Sequence, residues 1–198
     1  MIEVTVLHAP LDGPLDAARE AWLLERLPYA RRLELESREA AARLASLQAL
    51  ELLRCGVERL RGKSLEMPAL RYPDGGKPAL AGGPYFSISH SGARVAVALS
   101  EQCEVGIDIE DLAAAADADR LGHWTAVEAT LKAAGSGLRR ARDVRLAPDL
   151  ASARIGTEEY RLQRLRLAPG CVAHLATVGE ARVQLLPRSA ANDAQVDQ

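Results

Sequence analysis

The stretch Val105-Gly106-Ile107-Asp108-Ile109-Glu110 restricts the fold more than any other part of the chain. Its alternation of isoleucines with small or acidic residues is the period of a strand with one buried face. Side chains two apart share a face, so Asp108 and Glu110 point one way while Ile107 and Ile109 point the other. Such a strand needs a core under its isoleucines and something over its acids. Adjacent like charges repel unless a cation lies between them, and an oxygen-seeking divalent ion such as Mg²⁺ meets that need. An isolated pair of this spacing is more often a solvated strand face, so the neighbouring stretches decide its meaning.

Upstream, Ile2, Val4 and Val6 alternate with Glu3 and Thr5 as a first strand. Helical spacing follows over residues 15–27 and 38–60, where Leu44, Leu47, Leu50 and Leu53 make an apolar stripe and Gly56 and Gly62 interrupt or end the helix. Arg31, Arg32, Arg38 and Arg43 lie on or just before it and read mostly as a solvated face. Residues 61–84 are rich in glycine and proline, a composition of tight turns whose amides can approach a ligand. Tyr85-Phe86-Ser87-Ile88-Ser89-His90-Ser91 is a strand, residues 94–99 are another, and residues 105–110 are expected to pair back on the latter as a hairpin.

Asp117 or Asp119 can cap a helix that runs through Ala134 and stops at Gly135-Ser136-Gly137. On it Trp124, Val127 and Leu131 share one apolar face, and Glu128 and Lys132, four apart, can reach one partner together. Further strands are expected at 144–146, 160–167, 171–178 and 183–186, with a frayed tail over 188–198.

The formal charge of −2 provides no global basic field and only 4% of residues are aromatic, which argues against nucleic-acid binding. The three cysteines are far apart and form no C-x-x-C pair, so neither a disulfide framework nor a zinc site is suggested. No basic region followed by a long apolar run opens the chain, and no run is long enough to span a membrane, so the cytoplasm is the expected location.

Four stretches then fall in order: Gly76-Lys77-Pro78, Phe86-Ser87-Ile88-Ser89-His90-Ser91, Gly106-Ile107-Asp108-Ile109-Glu110, and Trp124-Thr125-Ala126-Val127-Glu128-Ala129-Thr130-Leu131-Lys132-Ala133. The series resembles the Sfp-type 4′-phosphopantetheinyl transferases. The resemblance covers roughly residues 76–133 and implies an α+β fold of two similar halves related by a pseudo-twofold axis, each a small antiparallel sheet with helices. The halves would be residues 1–100, on the nucleotide side of a coenzyme A cleft, and 101–187, with the metal and catalytic acids. The implied activity is Mg²⁺-dependent transfer of the phosphopantetheine arm of coenzyme A to a serine of an acyl, polyketide or peptidyl carrier protein, releasing adenosine 3′,5′-bisphosphate. A chain with both halves fused would work as a monomer.

By motif position the resemblance implies Asp108, Glu110 and Glu128 as metal ligands, with Glu128 and Lys132 as catalytic residues. Lys132 and His90 would contact phosphates, Lys77 would lie by the nucleotide, Ser89 would be a further contact, and Arg43 would meet the 3′-phosphate. The residue types suit the chemistry, because attack on a pyrophosphate needs neutralised charge and a base for the incoming hydroxyl. Two departures stand out. Val127 occupies the place of a family lysine, and only residues 111–123 separate the acidic strand from the tryptophan helix. Val127 is expected on the buried face with Trp124 and Leu131, leaving Lys132 as the helix-borne cation of the site. The competing readings are a degenerate homologue that binds coenzyme A or a carrier without transfer, and a metal-dependent phosphohydrolase using the same acids.

Overall fold

Residues 1–11, 13–73, 77–114 and 117–187 are described by the computed structural model, and they build an α+β fold of two sheets with helices on the outer faces. Gly76 and the 188–198 tail lie outside the described residues. The first sheet has the order β11 (Ala181–Pro187), β1 (Ile2–Pro10), β5 (Arg94–Ser100), β4 (Tyr85–Ser91). The second runs β6 (Val105–Asp111), β10 (Cys171–Thr177), β9 (Glu158–Leu165), β8 (Ser152–Ile155), β7 (Val144–Leu146). β2 (Leu70–Arg71) and β3 (Ala79–Leu80) form a separate small ladder. All pairings are antiparallel except β1 with β11.

Four helices accompany the sheets: α1 (Ala17–Arg26), α2 (Tyr29–Glu36), α3 (Ala40–Arg61) and α4 (Ala118–Ala133). The two sheets repeat one plan. In each, a first strand is followed by a long helix (α3 or α4) and then by further strands, of which β5 or β10 returns to lie beside the first. The orders β1-β5-β4 and β6-β10-β9 are the same arrangement. α3 runs through Gly56 unbroken and ends at Gly62, whose left-handed φ of 63° closes the helix. Asp117 caps α4 by accepting the N–H groups of Asp119 and Arg120 at 3.0 and 3.1 Å.

The period-2 pattern sorts side chains between layers. Leu7, Val95, Val97 and Leu99 face α3, while Val4, Val6, Ala96 and Ala98 face Ile107, Ile109 and Leu175 of the other sheet. The layers therefore run helix, sheet, sheet, helix. The expected hairpin between β5 and β6 does not form. β6 starts the second sheet and pairs with β10, with Asp108 opposite His174. β6 is an edge strand, and so is β4 of the first sheet. Along this seam serine hydroxyls take the place of backbone pairing: Ile107, Ile109 and Asp111 donate their N–H groups to Ser87, Ser89 and Ser91 at 3.1, 3.3 and 3.3 Å. Three otherwise orphaned edge donors are thereby satisfied.

The buried face of α4 also differs from expectation. Trp124 is 40% exposed, whereas Val127 is half-buried and packs against the core under α4 as expected, and Gly122, Thr125, Ala126, Ala129, Thr130, Leu131 and Ala133 are buried. Small size rather than apolar bulk selects this face, because α4 lies very close to β6. A Cβ added to Gly106 would stand 1.9 Å from the Ala129 carbonyl oxygen and 2.4 Å from the Ala133 nitrogen.

Candidate active site

The close approach at Gly106 places α4 directly over the acidic face of β6. Asp108, two residues on, shares that face and is 2% exposed. Its Oδ1 accepts from Ser89 Oγ at 2.7 Å and from Lys132 Nζ at 2.6 Å. Its Oδ2 is buried without a hydrogen-bond partner, an arrangement that costs free energy unless a cation or donor completes it. Glu110 accepts from Ser91 Oγ at 2.6 Å. Each of these serines therefore accepts from one backbone amide of β6 and donates to one carboxylate, so the seam also orients the acids.

Glu128 and Lys132 stand one turn apart on α4, with Nζ 3.8 Å from the Glu128 carboxylate. Burial, followed by the charges of Asp108 and Glu110, pushes the Glu128 carboxyl above the usual carboxylate range, with Lys132 opposing. The three acids thus share one electrostatic neighbourhood. Even so, among the described residues no group of three or more His, Cys, Asp or Glu side chains is gathered closely enough to hold a metal ion. Lys132 is paired with Asp108 Oδ1. Carboxylate oxygens are the donor type that suits Mg²⁺, and Asp108 Oδ2 is buried with no hydrogen-bond partner.

Glu128 and Lys132 line a cleft of about 520 Å³ that crosses from α3 to α4. Leu50 and Phe86 are part of its apolar wall, and Arg31, Arg38, Lys77 and His90 add charged and polar groups. Lys77 donates to Glu104 and to the Val105 carbonyl, at 2.5 and 2.6 Å. Burial pulls its ammonium below the usual lysine range, and Glu104 works against that. Burial also lowers His90, with the charges of Lys132 and Arg38 adding to the effect.

Of the residues singled out in the sequence, Lys77, His90, Glu128 and Lys132 meet at this cleft, with Asp108 and Glu110 on the strand behind. Two lie elsewhere. Ser89 is buried beneath Asp108, where it orients the carboxylate. Arg43 turns to α1, its Nε 3.5 Å from Glu20, and is absent from the cleft lining. Arg31 and Arg38 occupy the wall instead, both bonded to Glu34 at 2.7 and 2.6 Å. Arg31 and Glu34 are three apart on α2, and Arg38 follows in the short link before α3, four residues beyond Glu34; that charge spacing is the signal that could have separated these arginines from solvated ones.

No profile of a protein family matches the chain. Over 46 residues it is 46% identical to the 4′-phosphopantetheinyl transferase AcpT of Salmonella typhi. Over a stretch of the same length it is 50% identical to the protein of that name from Salmonella typhimurium. The matched stretch spans 22% of this chain and 24% of the length of each relative.

Proposed function

We propose that the protein moves the 4′-phosphopantetheine arm of coenzyme A to a serine hydroxyl of a carrier protein, releasing adenosine 3′,5′-bisphosphate. The observation that carries the reading is the meeting of Asp108, Glu128 and Lys132 beside a cleft whose wall also holds Arg31, Arg38 and Lys77. A molecule that carries both a phosphorylated nucleotide and a pyrophosphate suits a wall with those cations. The local match to two 4′-phosphopantetheinyl transferases supports the same class of transfer.

In the reaction the serine oxygen bonds to the phosphorus that carries the pantetheine arm. The bond from that phosphorus to the bridging oxygen breaks, and the nucleotide bisphosphate departs. Glu128 takes the serine proton; a carboxyl whose proton affinity is raised toward neutrality is a better base than an ordinary one. The Lys132 ammonium has three hydrogens, of which Asp108 takes one at 2.6 Å. The others are free to meet the charge that builds on the phosphoryl oxygens. Mg²⁺ on Asp108, Glu110 and Glu128 would require those carboxylates to draw together and Lys132 to shift from Asp108, and when bound it would supply neutralising charge to the pyrophosphate.

The second reading, binding of coenzyme A or a carrier without transfer, is favoured by the Lys132–Asp108 ion pair, which stands where a metal would be held. One experiment separates the two. An apo carrier protein is incubated with the protein, coenzyme A and Mg²⁺, and both carrier mass and nucleotide products are followed. A carrier that gains one phosphopantetheine, matched by released adenosine bisphosphate, is the expected result. Nucleotide release without carrier modification indicates hydrolysis, and binding with neither product indicates the second reading.

A further inference from the structure

We infer that the 3₁₀ segment Leu138–Asp143, with the strand that follows it, is the docking surface for the carrier, and that it selects carriers with acidic residues beside the acceptor serine. The inference rests on the transferase reading above. The whole chain has a net charge of −2, yet Arg139, Arg140, Arg142 and Arg145 all fall within residues 139–145. Ala141 turns inward against the cluster under α4, and the four arginines are exposed. Arg140 is held at 3.0 Å by Asp143 of its own segment, with both side chains about half exposed. Neither Arg139 nor Arg142 has an acidic side chain as partner among the described residues. The cleft arginines, by contrast, are matched by Glu34 and Lys77 by Glu104.

The segment starts at the cleft itself. Leu138 lies in the wall with Glu128 and Lys132, but Arg139, Arg140 and Arg142 do not, so a small ligand in the cleft leaves them unused. Leu138 is 59% exposed, and Trp124, one turn before Glu128, is 40% exposed. A rim with the unpaired Arg139 and Arg142 next to the exposed Leu138 suits a macromolecular partner that is acidic around an apolar contact. The partner must bring its hydroxyl to Glu128, and this rim borders that position.

The test compares the wild-type chain with the double charge reversal R139E/R142E. Dissociation constants are measured by fluorescence anisotropy for an apo acyl carrier protein with carboxylates flanking its serine, and for the same carrier with those carboxylates changed to amides. Coenzyme A binding is measured in parallel by calorimetry. The variant is expected to bind the acidic carrier at least roughly tenfold more weakly, to lose the preference for it over the amide form, and to bind coenzyme A unchanged. Equal carrier affinity in wild type and variant overturns the inference, as does an equal loss of coenzyme A or the absence of any carrier binding by the wild type. If the wild type binds the acidic carrier, charge reversal weakens it and no arm is transferred, the docking surface stands and the transferase reading falls.

Discussion

Gly106→Ala tests the geometry on which the whole site depends. The added Cβ would stand 1.9 Å from the Ala129 oxygen, where ordinary contact starts at 3.4 Å, so α4 must withdraw by about 1.5 Å. The obstructing atoms are helix backbone, which has no rotamer by which to escape. The cost in stability falls at or above the upper end of the range of about 1–3 kcal/mol for overpacking. The same movement takes Lys132 away from Asp108, stretching a 2.6 Å contact beyond hydrogen-bond length. It also displaces Glu128. Misplacement of reacting groups by about 1 Å costs roughly 10²-fold in rate, so transfer should fall by that factor or more under conditions where the variant is folded. Urea unfolding reports the first effect and carrier modification followed by mass spectrometry the second. A variant with wild-type unfolding midpoint and wild-type rate would refute the close approach of α4 to β6, and with it the positions of Glu128 and Lys132.

Three further outcomes follow from the same geometry. His174, opposite Asp108 and bonded to Thr125 at 2.8 Å, has its imidazole lowered to about 4, first by burial and then by the charges of Arg164 and His123. Because the folded value is depressed, its stabilisation is complete above the ordinary 6.5 and is lost as pH falls toward 4; the full loss is about 3 kcal/mol. His174→Gln should flatten that part of the stability profile in pH-dependent urea melts, and an unchanged slope removes the assignment. Ser89→Ala deprives the Ile109 amide and Asp108 of their shared partner, costing about 1–3 kcal/mol. Its turnover should fall with the Michaelis constant for coenzyme A unmoved, whereas a rise in that constant would return Ser89 to the ligand. Finally, Arg38→Ala should raise the Michaelis constant for coenzyme A several-fold more than Arg43→Ala, since only Arg38 lines the cleft; the reverse ranking would mean that α3 presents Arg43 to the nucleotide.

β6 and the capped start of α4 were legible because each obeys a local rule, alternation in one case and an Asp N-cap in the other. The four-part resemblance then brought Asp108, Glu128 and Lys132 together before any coordinates did. What escaped was set by tertiary contact. β5 and β6 are joined by a short turn, which suggests a hairpin, but the partner of β6 is β10, more than sixty residues on. The signal for the true seam was Ser87-x-Ser89-x-Ser91, a polar alternation that marks an edge joined by side chains. α2 was overlooked because its charged residues leave only Leu35 fully buried, too little for periodicity to register. Trp124 was assigned inward on bulk, yet a helix pressed onto a glycine buries its small residues and pushes its large ones to the rim.

The parallel pairing of β1 with β11 bears on how the chain acquires its structure during synthesis. β1 is synthesised long before the strand that covers its outer side, from Ala181 to Pro187. Until then Ile2, Val4 and Val6 border a row of unsatisfied amides and carbonyls, a template onto which any extended chain can add. A pairing between such distant segments also carries a large loop-closure cost, which slows folding. Truncation before Ala181 should therefore yield aggregates instead of a shortened folded chain.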